Sequence, residues 1–333
     1  MAGLRMIAGS GRSGTTWVQD ALADANNLRP IFEPLHPWVS EVGNRFAHRT
    51  LRPGETHPDL LQFLTDVSAG RGPQLWARYR RHPRWLFPPV SSLTSRRELG
   101  RLYRFWSSFV AEFPALHKAS RRPAPLVKCI RSNLMLGWLS QHCDGRVVLM
   151  VRHPGAVIES ELRGKWVPER VLDRFKRDAA LHELTGNRYR ALLARRLNDV
   201  EALAARWVIE NQYPILWASA DKIAVVHYER LKSAPGAEWQ RVCTALDLPN
   251  VPTAAALAKP SQQSSRSTPE SIVAGSTTPR WLQKLTQAQV DAVQGVLDDV
   301  GFDLYSMREA TPRATKLVSD AGPVPLLAGA AQL

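Results

Sequence analysis

A glycine-rich loop between a predicted strand and a predicted helix constrains the fold of this chain more than any other feature. Its sequence is Gly9-Ser10-Gly11-Arg12-Ser13-Gly14-Thr15-Thr16. The apolar run Leu4–Ala8 precedes the loop, and apolar residues recur at helical spacing from Trp17 to Ala25. Glycines let such a loop curl so that successive N–H groups point inward, and the following helix adds its positive end. The sequence therefore predicts a binding site for a phosphate or a sulfate ester.

Strands alternate with helices along most of the chain. Apolar runs predict further strands over 28–32, 126–130, 146–151 and 223–227, helices over 58–68, 96–113, 133–142, 236–246 and 281–299, and a mostly helical stretch over 168–219. This alternation predicts an α/β fold of three layers, a P-loop-like domain whose central, mostly parallel sheet is flanked by helices. Ligands of such sheets bind beyond the carboxyl ends of the strands, where every motif below is predicted to lie.

The position of the basic residue distinguishes this loop from that of a nucleoside triphosphatase. Such an enzyme carries Lys where Thr15 stands, and that lysine reaches the β- and γ-phosphates. Here the basic residue is Arg12, inside the loop. An arginine at that position favours a shorter group such as a phosphosulfate. A P-loop nucleotide kinase remains the alternative.

A second motif follows the predicted strand over 146–151. Arg152 comes at the end of the strand, Pro154 opens a helix, and Ser160 lies further along that helix. Arginine can donate two parallel hydrogen bonds to a phosphate, and proline is favoured in a first helical turn. Ser160 can add a hydroxyl to the same phosphate. The alternative, an ordinary strand–helix unit with a salt-bridged arginine, is disfavoured by the first motif upstream.

Together the two motifs resemble the PAPS-dependent sulfotransferase superfamily, where PAPS is 3′-phosphoadenosine 5′-phosphosulfate. Arg12–Trp17 matches its first signature, and Val147–Pro154 with Ser160 matches its second. The resemblance implies a sulfotransferase with PAPS as co-substrate, PAP as product and no required metal. It also implies that the nucleotide is held by Gly11, Arg12, Ser13, Gly14, Thr15, Thr16, Trp17, Arg152 and Ser160.

Two later segments resemble the same superfamily less closely. Val225–Leu231 is similar to its Tyr-Glu-x-Leu pattern, which implies that Tyr228 lies near the adenine. Arg280, followed by Trp281, resembles the segment that closes over the nucleotide. Members usually carry Asp or Asn where His153 stands, and we assign His153 no role.

Sulfuryl transfer requires a group that takes the proton of the attacking hydroxyl. Glu33, at the end of the second predicted strand, is the candidate base. The run Phe32–Leu35 resembles carbohydrate sulfotransferases of the Golgi type, and bacterial relatives with a Glu base are similar. His36 is the alternative base and otherwise belongs to the acceptor side. A local pairing of Glu33 with an arginine is the third interpretation.

The departing phosphate oxygen requires nearby positive charge. Lys128, near the end of the predicted strand over 126–130, is expected to share this role with Arg12. Arg131 is expected to bind the acceptor or the nucleotide. Both Lys128 and Arg131 could instead be solvated charges at a strand end.

The chain is strongly basic, with a formal net charge of +14 and a pI near 10.2. Such a charge predicts attraction to anions, including nucleotides, nucleic acids, acidic glycans and anionic membrane surfaces. A basic nucleic-acid-binding protein is therefore the second alternative, although no recognised nucleic-acid-binding motif supports it. We expect a small-molecule, lipid or glycan acceptor and no nucleic-acid partner. Peripheral membrane contact and the oligomeric state stay open.

Cysteine usage and apolar runs suggest a compartment. Cys129, Cys143 and Cys243 form no C-x-x-C pair, which argues against a zinc site or a disulfide framework and favours reduced thiols. The eight residues before Gly9 predict a strand rather than a signal peptide. No apolar run approaches the roughly 18 residues of a membrane span. We therefore expect a cytoplasmic protein.

We expect one sulfotransferase domain over 1–310 and a loose tail over 311–333. The resemblance does not extend to 40–120, which we predict to be an insertion that forms an acceptor pocket or lid. Within it, 78–89 is basic, aromatic and interrupted by prolines, and predicts a surface excursion. Its Trp and Arg content suits a hydrophobic or an anionic acceptor. The stretch 260–279 predicts an extended loop.

Overall fold

A five-stranded parallel sheet forms the centre of the protein. The computed structural model describes residues 3–37, 39–71, 122–217, 222–258 and 279–313. The strands are β1 (Leu4–Gly9), β2 (Arg29–Phe32), β3 (Pro125–Cys129), β4 (Gly145–Val151) and β5 (Ile223–His227). Their order in the sheet is β2-β3-β1-β4-β5, and each neighbouring pair is parallel. The predicted α/β fold is confirmed.

The middle of the sheet is apolar on both faces, as expected for parallel strands covered on both sides. Met6 of β1 is in register with Val127 of β3 on one side and Val147 of β4 on the other. All three side chains are buried. Because the five strands run in one direction, their carboxyl ends meet at one edge of the sheet.

Helices surround the sheet and connect its strands. In the described residues they are α1 (Thr15–Ala25), α2 (Glu41–Phe46), α3 (Pro58–Ser68), α4 (Leu136–His142), α5 (Pro154–Arg163), α6 (Glu169–Arg177), α7 (Ala179–Leu184), α8 (Arg190–Ala194), α9 (Asp199–Ile215), α10 (Tyr228–Ser233), α11 (Pro235–Ala245), α12 (Ala254–Leu257), α13 (Trp281–Lys284) and α14 (Gln287–Asp299).

Two apolar clusters, one on each face of the sheet, give the fold its three layers. Successive strand residues point to opposite faces. Met6 and Val147 belong to one cluster, which also contains side chains of α9 and α14. Ile7 and Val148 belong to the other, with side chains of α1 and α11. Burial on both faces holds the strand ends, and therefore the site, in a fixed arrangement.

Most predicted elements are confirmed, and the ends of the predicted strands agree with the observed ends to within one residue. Two helices differ from the prediction. The one over 133–142 begins as a 3-10 turn, Asn133–Met135, and the one over 281–299 is split into α13 and α14. Thr286 starts α14 with a capping box, in which Thr286 and Gln289 each accept a hydrogen bond from the other's backbone N–H.

Several predictions fall outside the described residues. These are the helix over 96–113, the excursion over 78–89, and nearly all of the loop over 260–279 and of the tail over 311–333. The boundaries of the single domain and of the insertion over 40–120 stay predictions. Cys129, Cys143 and Cys243 are free and buried. No helix of the described part combines the length and the apolarity needed to cross a membrane.

Candidate functional site

The backbone of the glycine-rich loop requires glycine at two positions. Gly9 has a φ of +141°, and a Cβ there would lie 2.4 Å from the carbonyl oxygen of Met150. Gly14 has a φ of +86°, and a Cβ there would lie 2.7 Å from the ring of Tyr228. Both conformations are rare for residues with a side chain. The loop thus passes close to β4 and to the residue that follows β5.

Two asparagines that the sequence reasoning missed hold the loop in place. The amide of Gly9 donates to Asn133 Oδ1 at 3.0 Å. Asn211 Nδ2 lies 3.3 Å from Ser10 Oγ, and the hydroxyls of Ser10 and Ser13 are 2.7 Å apart. Asn133 follows β3 and Asn211 lies on α9, so no local pattern links them to the loop. All five residues are buried.

The two predicted anion-binding motifs meet at the carboxyl ends of β1 and β4. Arg12 Nε donates to Ser160 Oγ at 2.8 Å. Arg152 donates to the carbonyl oxygen of Arg12 at 3.0 Å, and its guanidinium lies 4.3 Å from the ring centroid of Tyr228. The structure therefore brings together four residues predicted to bind the nucleotide. The Tyr228 ring also lies against Gly14, the residue before α1, and the N-terminal N–H groups of that helix favour an anion as well.

Glu33 lies within a buried ion cluster at the carboxyl ends of β2 and β3. Its carboxylate is 2.6 Å from Lys128 Nζ and 2.5 Å from Arg131. The amide of Ile130 donates to the same carboxylate at 3.1 Å. The Glu33 side chain is only 2% exposed. The residues predicted as base, cation and acceptor contact are therefore neighbours, joined by ion pairs.

The electrostatics of this cluster favour the charged carboxylate. Burial alone raises the pKa of Glu33, but Lys128, Arg131 and two hydrogen bonds lower it to about 2. Burial and the charge of Arg131 together lower the pKa of His36 to about 4, although the charge of Glu33 opposes the shift. At neutral pH the cluster therefore contains an ionised Glu33 beside a neutral His36.

The remaining predicted residues line or flank the loop. Thr15 and Thr16 are buried at the start of α1, and Trp17 packs edge-on against Tyr228 at a centroid distance of 5.7 Å. A Cβ added at Gly11 would lie 2.8 Å from the ring of Trp166. Arg280, by contrast, is not joined to the loop by any contact described: its Nε lies 3.3 Å from Glu159 on α5.

A second buried ion cluster beside the loop was not predicted. Arg206 on α9 pairs with Glu161 on α5 and lies 4.0 Å from Glu210, which lies 3.2 Å from His48 Nδ1. An oxygen of Glu161 would be 3.4 Å from a Cβ at Gly11. Burial raises the pKa of Glu161 to about 7 although Arg206 opposes the rise. A carboxyl that titrates near neutral pH thus adjoins the loop.

His153 caps the helix that carries Ser160. Its Nδ1 accepts a hydrogen bond from the amide of Gly155 at 3.1 Å, and its Nε2 is 2.8 Å from the carbonyl oxygen of Glu309. The Nε2 atom therefore carries the proton. The ring stacks on Trp281 at 4.4 Å, and burial lowers its pKa to about 4. The His153 side chain thus serves as the N-cap of α5, a function that Asp and Asn side chains also perform well.

Glu229, next to the predicted Tyr228, ties β5 to the second motif. Its carboxylate accepts hydrogen bonds from the amide of His153 and from the hydroxyl of Tyr305, both at 2.9 Å. Burial raises its pKa. The Tyr-Glu-x-Leu pattern included this residue, but its partners lie about 76 positions away in the chain. Among the described residues, no group of three or more His, Cys, Asp and Glu could hold a metal ion.

Comparison with known proteins agrees with the motifs. The model of the Sulfotransferase family matches residues 6–252. The chain is similar to the solved sulfotransferase domain of the Synechococcus olefin synthase, with 17% identity and a TM-score of 0.42 over 91% of this chain and 96% of that one. The chain is also similar to the sulfotransferase domain of the curacin biosynthetic pathway, with 15% identity and a TM-score of 0.41 over 92% of this chain and 99% of that one. For a Mycobacterium avium sulfotransferase the identity is 14% and the TM-score 0.37, over 91% of this chain and 78% of that one. No curated protein matches.

Proposed function

The chain belongs to the sulfotransferase family, and from that premise we propose that it moves a sulfuryl group from PAPS to a hydroxyl of a glycan, lipid or secondary metabolite at the carboxyl edge of the sheet. The observation that carries the donor assignment is the contact between the two anion-binding motifs. Arg12 bonds Ser160, and Arg152 bonds the backbone of Arg12. One ligand with anionic groups at both ends would engage both motifs together.

In this proposal the loop and Arg12 hold the 5′-phosphosulfate, while Arg152 and Ser160 hold the 3′-phosphate. Arg152 Nε is buried and has no hydrogen-bond partner among the described residues, which suits a site for an added anion. Tyr228 would adjoin the adenine. The other nucleotide contacts are assigned, as the resemblance implies, to Gly11, Ser13, Gly14, Thr15, Thr16, Trp17 and Arg280.

The reaction forms a bond between the acceptor oxygen and sulfur while the bond from sulfur to the 5′-phosphate oxygen breaks. We assign the proton of the acceptor hydroxyl to Glu33 and the charge of the departing phosphate to Arg12 and Lys128. His36 and Arg131 then face the acceptor. A carboxylate with a pKa of about 2 is a weak base, so this assignment requires Lys128 to leave Glu33 before transfer.

Donor binding is tested with PAP and adenosine 5′-monophosphate, which differ in the 3′-phosphate. Wild type should prefer PAP, and Arg152→Ala should lose most of that preference because charged hydrogen bonds contribute about 1.5–3 kcal/mol. That corresponds to roughly 10- to 100-fold in affinity. Arg146→Ala is the matched control, since Arg146 is exposed at the amino end of the same strand. Stabilisation by magnesium–ATP but not by PAP would instead favour the nucleotide kinase.

The base is tested by PAP release from PAPS in the presence of a panel of glycan, lipid and phenolic alcohols. Glu33→Gln keeps the size of the side chain and should abolish turnover while PAP still binds. Lys128→Met should lower kcat more than it changes PAP affinity if its charge acts mainly in the transition state. Full turnover of Glu33→Gln together with loss in His36→Asn would transfer the base role to His36.

A further inference from the structure

A groove of about 520 Å³ lies between two stretches of the chain, residues 45–55 and residues 170–180. Six arginines line it: Arg45, Arg49, Arg52, Arg170, Arg174 and Arg177. Two acidic residues, Glu55 and Asp178, also line it. The groove shares no lining residue with the glycine-rich loop or with the Glu33 cluster.

The two acidic residues offset only part of the charge of the six arginines. Both carboxylate oxygens of Asp178 accept backbone hydrogen bonds, one from the amide of Thr50 at 3.0 Å and one from the amide of Leu181 at 3.1 Å. Glu55 pairs with Arg52 at 2.8 Å. Both acidic side chains are thus held in position by hydrogen bonds and an ion pair of the fold, and two negative charges face six positive ones.

Among the described residues, two of the six groove arginines pair with a carboxylate and four do not. Arg45 pairs with Asp59, outside the groove lining, and Arg52 pairs with Glu55. In the part of the chain that the structure describes, no carboxylate lies within ion-pair distance of the other four groove arginines, which are Arg49, Arg170, Arg174 and Arg177.

Arg174 is held in place by backbone contacts. It donates to the carbonyl oxygens of Ala47 and Asn44. Burial lowers its pKa, and the charges of Arg49 and Arg177 lower it further, while the charge of Asp178 opposes the shift. Such mutual repulsion is relieved when an anion binds between the guanidinium groups.

The groove adjoins the candidate reaction centre through the chain that forms its wall. The amide of His48 donates to the carbonyl oxygen of Arg131 at 2.9 Å, and Arg131 pairs with Glu33. The next residue, Arg49, lines the groove. Two residues further, the amide of Leu51 donates to the carbonyl oxygen of Leu134, which follows β3. The wall of the groove is therefore hydrogen-bonded to the segment after β3 that carries Arg131.

We propose that this groove is a second anion-binding site, which takes a soluble molecule bearing two or more sulfate, phosphate or carboxylate groups. Guanidinium groups bind such anions through paired hydrogen bonds, and the cavity has the volume of a small-molecule site. Resting on the proposed sulfotransferase function, we infer that this molecule is the acceptor. Its anionic groups bind the arginines while its hydroxyl reaches toward Glu33.

The test is a calorimetric titration with myo-inositol hexakisphosphate as a compact polyanion and myo-inositol as its neutral counterpart. Saturating PAP is present so that the nucleotide motifs are occupied. Wild type should bind one equivalent of the polyanion and no myo-inositol. Arg49→Ala, Arg170→Ala and Arg177→Ala should each weaken binding about tenfold or more. These side chains are exposed, so thermal unfolding should stay unchanged.

Arg146→Ala removes the same charge at the opposite edge of the sheet and should leave polyanion binding unchanged. Equal weakening in Arg146→Ala and in the groove variants would overturn the proposal, because it would indicate attraction by net charge alone. Loss of polyanion binding when PAP is added would also overturn it, since the two sites would then be one. So would Arg49-dependent binding of phosphatidylserine vesicles without binding of the soluble polyanion.

Failure of the groove and failure of the donor assignment give different results. If the groove proposal fails, PAP still binds and discriminates against adenosine 5′-monophosphate. If the donor assignment fails, PAP does not bind, and a repeat titration without PAP still measures the polyanion. Arg152→Ala should weaken PAP but not the polyanion, and Arg49→Ala should do the reverse.

Discussion

Replacing Glu33 with Gln should destabilise the protein by an amount that depends on pH. Glu33 is almost completely buried and pairs with Lys128 and Arg131. Its pKa is about 2 in the folded protein, against an ordinary value of 4.5. A shift of this size corresponds to about 3 kcal/mol of stability at neutral pH. Removing one partner of a buried ion pair costs a similar 3–5 kcal/mol or so.

The sign of the pH dependence follows from the lowered pKa. Stability from Glu33 is fully present above pH 4.5 and is lost as the pH falls toward 2. The difference between wild type and Glu33→Gln should therefore be constant from pH 6 to 8. At pH 3.5 it should be smaller by about 1.4 kcal/mol. Urea unfolding at each pH measures both values.

Glu169→Gln provides the control, since Glu169 is an exposed carboxylate at the start of α6. It should change the free energy of unfolding by less than about 0.5 kcal/mol at every pH. A Glu33→Gln difference that is the same at pH 7 and pH 3.5 would refute the reasoning, because Glu33 would then titrate alike in the folded and unfolded chains. A difference near zero at pH 7 would refute the buried ion cluster itself.

Two further changes test the support of the loop and of the second motif. Asn133→Ala leaves the amide of Gly9 and the carbonyl of Glu210 without their partner. The free energy of unfolding in urea should therefore fall by about 1–3 kcal/mol for each group, and PAP should bind more weakly. A fall below about 0.5 kcal/mol would contradict this. His153→Asn retains an N-cap but removes an imidazole whose pKa folding lowers from 6.5 to about 4. Wild type should therefore lose stability relative to this variant as the pH drops from 6.5 to 4. Parallel curves of stability against pH would contradict this.

The sheet could be predicted because its strands are short, strongly apolar and followed by turn or helix signals. Pairing order could not, since nothing local in Leu126–Cys129 indicates that β3 lies between β1 and β2. The split between α13 and α14 was available from the sequence: Thr286 and Gln289 have the spacing of a capping box. The helical period continues across Leu285 and concealed it.

The residues of the site were predictable where each lies within a recognisable motif, but the contacts between motifs were not. Arg12, Arg152 and Ser160 were each identified, whereas their mutual contacts span 140 residues or more of the chain. Asn133 and Glu161 were missed for the same reason. Each is an ordinary polar residue on a helical segment, and its partner near the loop is brought close only by the tertiary fold.

The order of the strands bears on the proposal that Lys128 serves both Glu33 and the departing phosphate. Because β3 lies between β1 and β2, Lys128 is in register with Ile7 of β1, two residues before the loop, and with Phe32 of β2, next to Glu33. Glu33 holds the ammonium and is itself a weak base as a result. In the proposed mechanism an anion on the loop would compete with Glu33 for Lys128, and the weaker ion pair would raise the pKa of Glu33 toward the range in which it can accept a proton. Donor binding would then prepare the base. An NMR titration of the Glu33 carboxyl should show a higher pKa with PAP bound, and an unchanged or lower value would contradict this coupling.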